Sequence, residues 1–97
     1  MSAQLARPNP CFSLGQVVAT PGALDALAEI NCLPLTLLNR HQCGDWGDLD
    51  DEDIAANHEA LGNSDRLFSA YIIQNIKFWV ITEADRSVTT ILLPSEY

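Results

Sequence analysis

Positive charge is scarce in this chain. Lys and Arg number 5 against 13 Asp and Glu, which sets the formal charge at −8. Phosphate backbones are held by clusters of Lys and Arg, so direct nucleic-acid binding is not expected. Long apolar runs are missing too. Nothing approaches the ~20 residues of a membrane span, and residues 1–8 lack the apolar centre of a signal peptide. A cytoplasmic protein without membrane contact is the expectation. The 3 cysteines, Cys11, Cys32 and Cys43, form no CxxC pair, and their odd number argues against a complete disulfide framework. Reduced, packed thiols are the simpler reading. No Ser-His-Asp order, P-loop, HExxH or GxGxxG occurs, and there is no repeat.

What is present suits one domain. The length is 97 residues and 47% of them are hydrophobic, enough for a real core. Residues 1–10 read as a flexible arm, with Pro8 and Pro10 around Asn9 and no apolar period. The domain then runs over 11–97. Residues 11–19 turn apolar and β-branched and predict a short strand, weakened by Gly15.

Thr20-Pro21 predicts a helix start, with Thr20 as cap and Pro21 at the first position. Leu24, Leu27, Ala28 and Ile30 make its inward stripe, while Asp25 and Glu29 face water. Asn31 is a left-handed stop. Pro34 opens a second helix over 35–41, with Leu35 and Leu38 on one face and Gly44 ending it. A third helix is expected over 51–61, where Ile54, His58 and Leu61 share a face and Gly62-Asn63 closes it.

The remainder reads as an antiparallel meander. Its strands are 67–73, 76–82 and 88–93, joined by a tight turn at Gln74-Asn75 and a looser one over 83–87. Pro94 ends the last strand. Both faces of the middle strand are apolar: Ile76, Phe78 and Val80 point one way, Trp79 and Ile81 the other. Half-solvated sheets usually show a polar face. The second face therefore needs cover from the first strand or a second subunit, or it leaves Trp79 exposed. The expected class is α+β: a short N-terminal strand, three helices and a three-stranded antiparallel meander.

Between the second and third helices lies the densest charge, Cys43-Gly44-Asp45-Trp46-Gly47-Asp48-Leu49-Asp50-Asp51-Glu52-Asp53. Helix capping explains part of it. With Asp50 as N-cap, Asp51, Glu52 and Asp53 fill the first turn, where the macrodipole favours anions. Leu49 and Ile54 then stand at the two positions of a hydrophobic staple. Capping does not explain Asp45, Trp46 and Asp48, although Trp46 suits a plug at the core edge and Gly47 a tight bend. An EF-hand count from Asp45 puts Gly47 at the third position of the loop, Asp50 at the sixth and Ala56 at the twelfth, so the pattern fails.

His41, Cys43, Asp45, His58 and Cys32 have the right chemistry for zinc, but none of the usual pair spacings. No metal or other cofactor is expected. His41 reads more simply as a favourable charge at a helix C-terminus. Glu83, Asp85 and Arg86 offer a carboxylate pair beside a guanidinium. The plainer reading is turn chemistry, with Asp85 capping backbone and Arg86 pairing with Glu83.

Two segments, Gly44-Asp45-Trp46-Gly47-Asp48-Leu49 and the run from Trp79 to Pro94, resemble the small bacterial proteins labelled "plasmid-related". The segment from Phe12 to Leu24 matches more weakly. Leu33 departs from the capping Ser that the family tends to place before the proline, and the Gln74-Asn75 turn is less glycine-rich. The resemblance implies an accessory protein of conjugative plasmids and integrated elements. It implies no particular chemistry.

The functional expectation is a non-catalytic protein-interaction module with a protein partner of basic character. Self-association as a homodimer is a further expectation from the meander's second face. Asp45, Trp46, Asp48, Asp51, Glu52, Trp79, Glu83, Asp85 and Arg86 are the candidate contact residues. One alternative is an acidic DNA mimic directed at a host nucleic-acid enzyme, with Asp45, Asp48, Asp51, Glu52, Asp53 and Glu59 as its charge row. Another is a small enzyme built on the acidic loop and the Glu83-Asp85-Arg86 turn. A contact surface would show exposed apolar or charged groups. An enzyme would show a concave pocket with perturbed carboxylates.

Overall fold

A proline pair sets the helical layer. Pro21 and Pro34 each occupy the first turn of a helix, where the missing N–H costs nothing. In the computed structural model, which describes residues 10–97, they open α1 (Pro21–Glu29) and α2 (Pro34–Gln42). The expected arm over 1–10 lies outside the described residues except for Pro10. A third helix, α3 (Asp51–Asn63), follows the acidic stretch. The strands are β1 (Gln16–Ala19), β2 (Leu67–Ile73), β3 (Ile76–Thr82) and β4 (Val88–Leu92), and a 3-10 turn occupies Pro94–Glu96. The class is α+β.

The meander forms as expected, with Gln74 and Asn75 both at positive φ (50° and 67°), the geometry of a type I′ hairpin. β1 joins it as a fourth strand, parallel to β4, giving the order β1-β4-β3-β2. The sheet is thus mixed. The first strand is shorter than the apolar run over 11–19. Gly15 sits at φ +66°, where a side chain would overlap the carbonyls of Arg86 and Ser87. That left-handed residue breaks the extension before Gln16.

The caps fall where their side chains can reach. Thr20 Oγ1 accepts from Ala23 N (3.3 Å), and Asp50 Oδ1 accepts from Asp53 N (2.9 Å). Asn31 follows α1 at φ 55°. α3 runs two residues past the expected Leu61 and stops at Ser64, which takes the left-handed conformation.

The inward stripes are rotated from their expected positions. Ala23 and Leu27 are the buried residues of α1, with Ala26 and Ile30 packed beside them, whereas Leu24 and Ala28 are exposed. A small side chain at Ala23 lets the helix approach the sheet closely. In α2 the buried set is Leu37, Leu38 and His41, and Leu35 is exposed. In α3 it is Asn57 and Ala60, with Ile54 and Leu61 half-buried and His58 exposed. Polar partners in the sheet select His41 and Asn57, which apolar periodicity cannot register.

All three helices contribute to one sheet face. Its main core joins Ala23, Leu27, Leu37 and Leu38 to Tyr71, Phe78, Val80 and Ile91. A smaller cluster of Trp46, Ala60 and Leu67 lies under α3. Strand alternation sends Phe68, Ile72, Trp79 and Ile81 to the opposite face. Among the described residues no helix is long and apolar enough to cross a membrane.

Candidate interaction surface

The acidic stretch lies along the outer edge of β2. A strand at a sheet edge exposes unpaired N–H and C=O groups. Here Ala70 N donates to Trp46 O (3.2 Å), and Asp48 N donates to Ala70 O (2.6 Å). The Asp48 carboxylate then accepts from Ile72 N (2.9 Å). One step along the strand, Asn57 of α3 meets both backbone groups of Phe68, at 2.7 and 3.1 Å. The edge is closed by side chains and a two-residue bridge. Gly47, at φ +78°, permits the approach, because any Cβ there would overlap the Ala70 carbonyl and the Tyr71 ring.

The other acids of the stretch divide by role. Asp45 forms an ion pair with Arg40 (2.7 Å) and accepts from Gly47 N (3.1 Å). The Arg40 hydrogen bond holds its carboxyl below the usual range. Asp50 caps α3, and Asp51, Glu52 and Asp53 occupy its exposed first turn. Trp46 is buried, boxed by the rings of Phe12, His41 and His58 at centroid distances of 6.2, 5.7 and 6.3 Å. Its indole N–H has no acceptor among the described residues. Asp45, Trp46 and Asp48 are therefore engaged in the fold, although both aspartates stay exposed, and Asp51 and Glu52 are exposed without a side-chain hydrogen bond or ion pair among the described residues.

His41 departs furthest from its expected role. It is fully buried and joins a chain of hydroxyls. Thr89 Oγ1 donates to the Leu14 carbonyl (2.7 Å), so it accepts from Thr82 (2.7 Å). Thr82 in turn accepts from His41 Nε2–H (2.9 Å), and Nδ1 accepts from Ser69 (2.5 Å). The network requires the neutral imidazole protonated on Nε2. Burial pushes its pKa down to about 4. A helix-end cation is thus excluded at neutral pH: the ring is a core hydrogen-bonding group. Ser69, Thr82 and Thr89 were not foreseen, although hydroxyls at inward strand positions were the available signal.

The turn after β3 is also rearranged. Glu83 pairs with Arg66 (3.2 Å) and not with Arg86. Asp85 accepts from the backbone and hydroxyl of Ser87 at 3.0 and 2.5 Å. Arg86, at φ 62°, turns its guanidinium to carbonyls: Ala60 (2.9 Å) and Asp65 (2.6 Å) at the end of α3, and Glu83 and Ala84 in its own turn. A cation at a helix C-terminus complements the dipole. The carbonyls win because α3 ends without basic residues of its own.

Two surfaces stay open. The helix-free sheet face carries an aromatic group in which Trp79 meets Phe68 (5.2 Å) and Tyr97 (5.6 Å) edge to face. Phe68 and Trp79 are half-buried, and Tyr97 and Ile72 are 72% and 51% exposed. Arg66 links this group to Glu83 and donates to Tyr97 Oη (3.4 Å). From Arg66 a shallow groove of about 720 Å³ continues over α3, floored by Ala55 and Ala56 and rimmed by Glu52, Glu59 and Asp65. The two groups most displaced in pKa, His41 and Tyr71, lie in the core, far from this rim in role; burial raises the Tyr71 phenol, which donates to Asp45 O (2.6 Å). Among the described residues no group of three His, Cys, Asp or Glu side chains is placed to hold a metal.

No protein-family model matches the chain, nor does any curated protein or solved structure.

Proposed function

We propose that this protein is a non-catalytic interaction module that binds a basic protein segment across its helix-free sheet face. The observation that carries the reading is the Phe68–Trp79–Tyr97 group, set on the face that α1, α2 and α3 leave uncovered. Aromatic anchors of this kind dominate binding energy at interfaces. Charge complementarity selects the partner. Only two ion pairs occur among the described residues, Arg40–Asp45 and Arg66–Glu83, so Glu52, Glu59 and Asp65 keep their charge at the rim. A partner strand or helix with an apolar anchor and flanking Lys or Arg fits both features.

The biological setting in this reading is the cytoplasm of a cell carrying a mobile element, with a host nucleic-acid enzyme as a suitable basic target. Engagement of Asp45, Asp48 and Asp50 in the fold favours an anchored interface over a continuous charge row. The test compares wild type with Trp79→Arg in affinity capture with crosslink mapping, at low and high salt. One basic protein, crosslinked to the Phe68–Tyr97 region and lost from both the Trp79→Arg and high-salt arms, is the expected result. Retention of that protein by a folded Trp79→Arg variant overturns the proposal.

A further inference from the structure

The two edges of the sheet are treated differently. The β2 edge is closed at Phe68, Ala70 and Ile72 by Asn57, the Trp46–Asp48 bridge and the Asp48 carboxylate. Among the described residues, the β1 edge has no such cover. Gln16 N donates to Ser87 O and Thr20 N to Ile91 O, in the parallel register Gln16↔Val88 to Ala19↔Ile91. The two-residue period of that ladder turns Gln16, Val18 and Thr20 toward β4. It turns the N–H and C=O of Val17 and Ala19 outward. Among the described residues, no backbone hydrogen bond outside the ladder reaches either. Val17 and Val18 are 41% and 40% exposed. β1 is short at 4 residues, but Lys, Pro and an inward charge, the side-chain devices that blunt an edge, are absent from Gln-Val-Val-Ala.

We infer that β1 pairs antiparallel with β1 of a second copy, joining two four-stranded sheets into one. A two-fold axis at Val18 lets Val17 exchange both backbone hydrogen bonds with Ala19 of the partner, and the reverse, so all four outward groups of each strand are satisfied. Val18 then meets its own copy across the axis on the helix-free face. Charge favours this site for self-contact. Each chain carries −8, so two copies repel over most of their surfaces. Residues 8–24 form the longest stretch without Lys, Arg, Asp or Glu, and β1 lies within it. Two acidic chains can approach there with the least repulsion. The contact lies at the sheet edge, apart from the Trp79 group on β3, and does not depend on that docking reading.

The test uses the full chain in sedimentation equilibrium across a dilution series at low and high salt. A dimer is expected, and its dissociation constant should fall as salt rises, because screening removes the repulsion. Val17→Pro deletes an outward N–H while leaving the β4 ladder intact, and it should give a folded monomer. Val18→Lys sets like charges on the axis and should do the same, which keeps the test decisive if the proline variant unfolds. Val18→Cys should crosslink to its own copy on mild oxidation, since facing residues in a non-hydrogen-bonded pair lie about 4.5 Å apart at Cα. The mapped 18–18 peptide distinguishes this link from any through the native cysteines. A wild type that stays monomeric at near-millimolar concentration overturns the inference. So does a dimer that survives both β1 substitutions, or one that Trp79→Arg abolishes while Val17→Pro does not.

Discussion

Acidification from pH 7 to pH 5 should weaken this fold through His41. The imidazole is fully buried between Ser69 and Thr82, and burial lowers its pKa from 6.5 to about 4. Between those values the unfolded chain binds a proton that the folded chain refuses. Stability is therefore intact above pH 6.5 and is lost as pH falls toward 4. With these two pKa values the linkage gives a loss of about 2 kcal/mol between pH 7 and pH 5. That is a large share of the 5–15 kcal/mol typical of a domain, and corresponds to a melting-temperature drop of roughly 10 °C. Asp45, Asp85 and Glu96 have lowered pKa values, so their contributions are present above the ordinary carboxylate range and are lost as pH falls through that range and below, which leaves the window above about pH 5 to the histidine. The assay is urea unfolding at pH 7 and pH 5, followed by tryptophan fluorescence, which Trp46 beside the His41 ring and Trp79 both supply. His41→Gln should lower stability at pH 7 and flatten the dependence on pH. A wild type equally stable at both pH values, or a His41→Gln protein with an undiminished slope, refutes the neutral buried imidazole.

Two further substitutions test how the chain closes β2 and starts α3. Asn57→Ala leaves the Phe68 N–H and C=O without their partners and should cost about 2–6 kcal/mol, since each of the two unsatisfied groups costs ~1–3. Equal urea midpoints for variant and wild type would remove Asn57 from the account of the edge. Asp50→Ala deletes the bond from Asp53 N and should cost about 1 kcal/mol. Amide exchange should quicken in the first turn of α3, and unchanged rates there would show that the cap is dispensable.

The proposed contact surface is only partly legible in the sequence. Trp79 was marked by the apolar pattern on both faces of its strand, and it does lie on the helix-free side. The companions that give it shape, Phe68 and Tyr97, come from other elements and carry no marker of their own. The acidic stretch drew attention by its density, yet Asp45 and Asp48 are bound to Arg40 and to the β2 edge. Charge density measures composition along the chain. It does not reveal which carboxylates meet a donor after folding.

Local chemistry, within about four residues, was readable from the sequence alone. Thr20 with Pro21, Asn31, Asp50 and the Gln74-Asn75 turn act through neighbours that the chain brings close in any compact state. The period-two runs of β2 and β3 likewise needed only their own order, and so did the α+β class. Tertiary structure decided the rest. β1 lies parallel to β4, dozens of residues away in the chain, a pairing that loop-closure entropy opposes and only the assembled core rewards. His41 is neutral because the assembled core buries it, and Ser69 and Thr82, from two different strands, meet both ring nitrogens. Arg86 left Glu83 for the end of α3 because that helix presents carbonyls with no basic residue of its own nearby. In each case a polar group found its partner across the fold, where hydrophobic periodicity and local propensity have no reach.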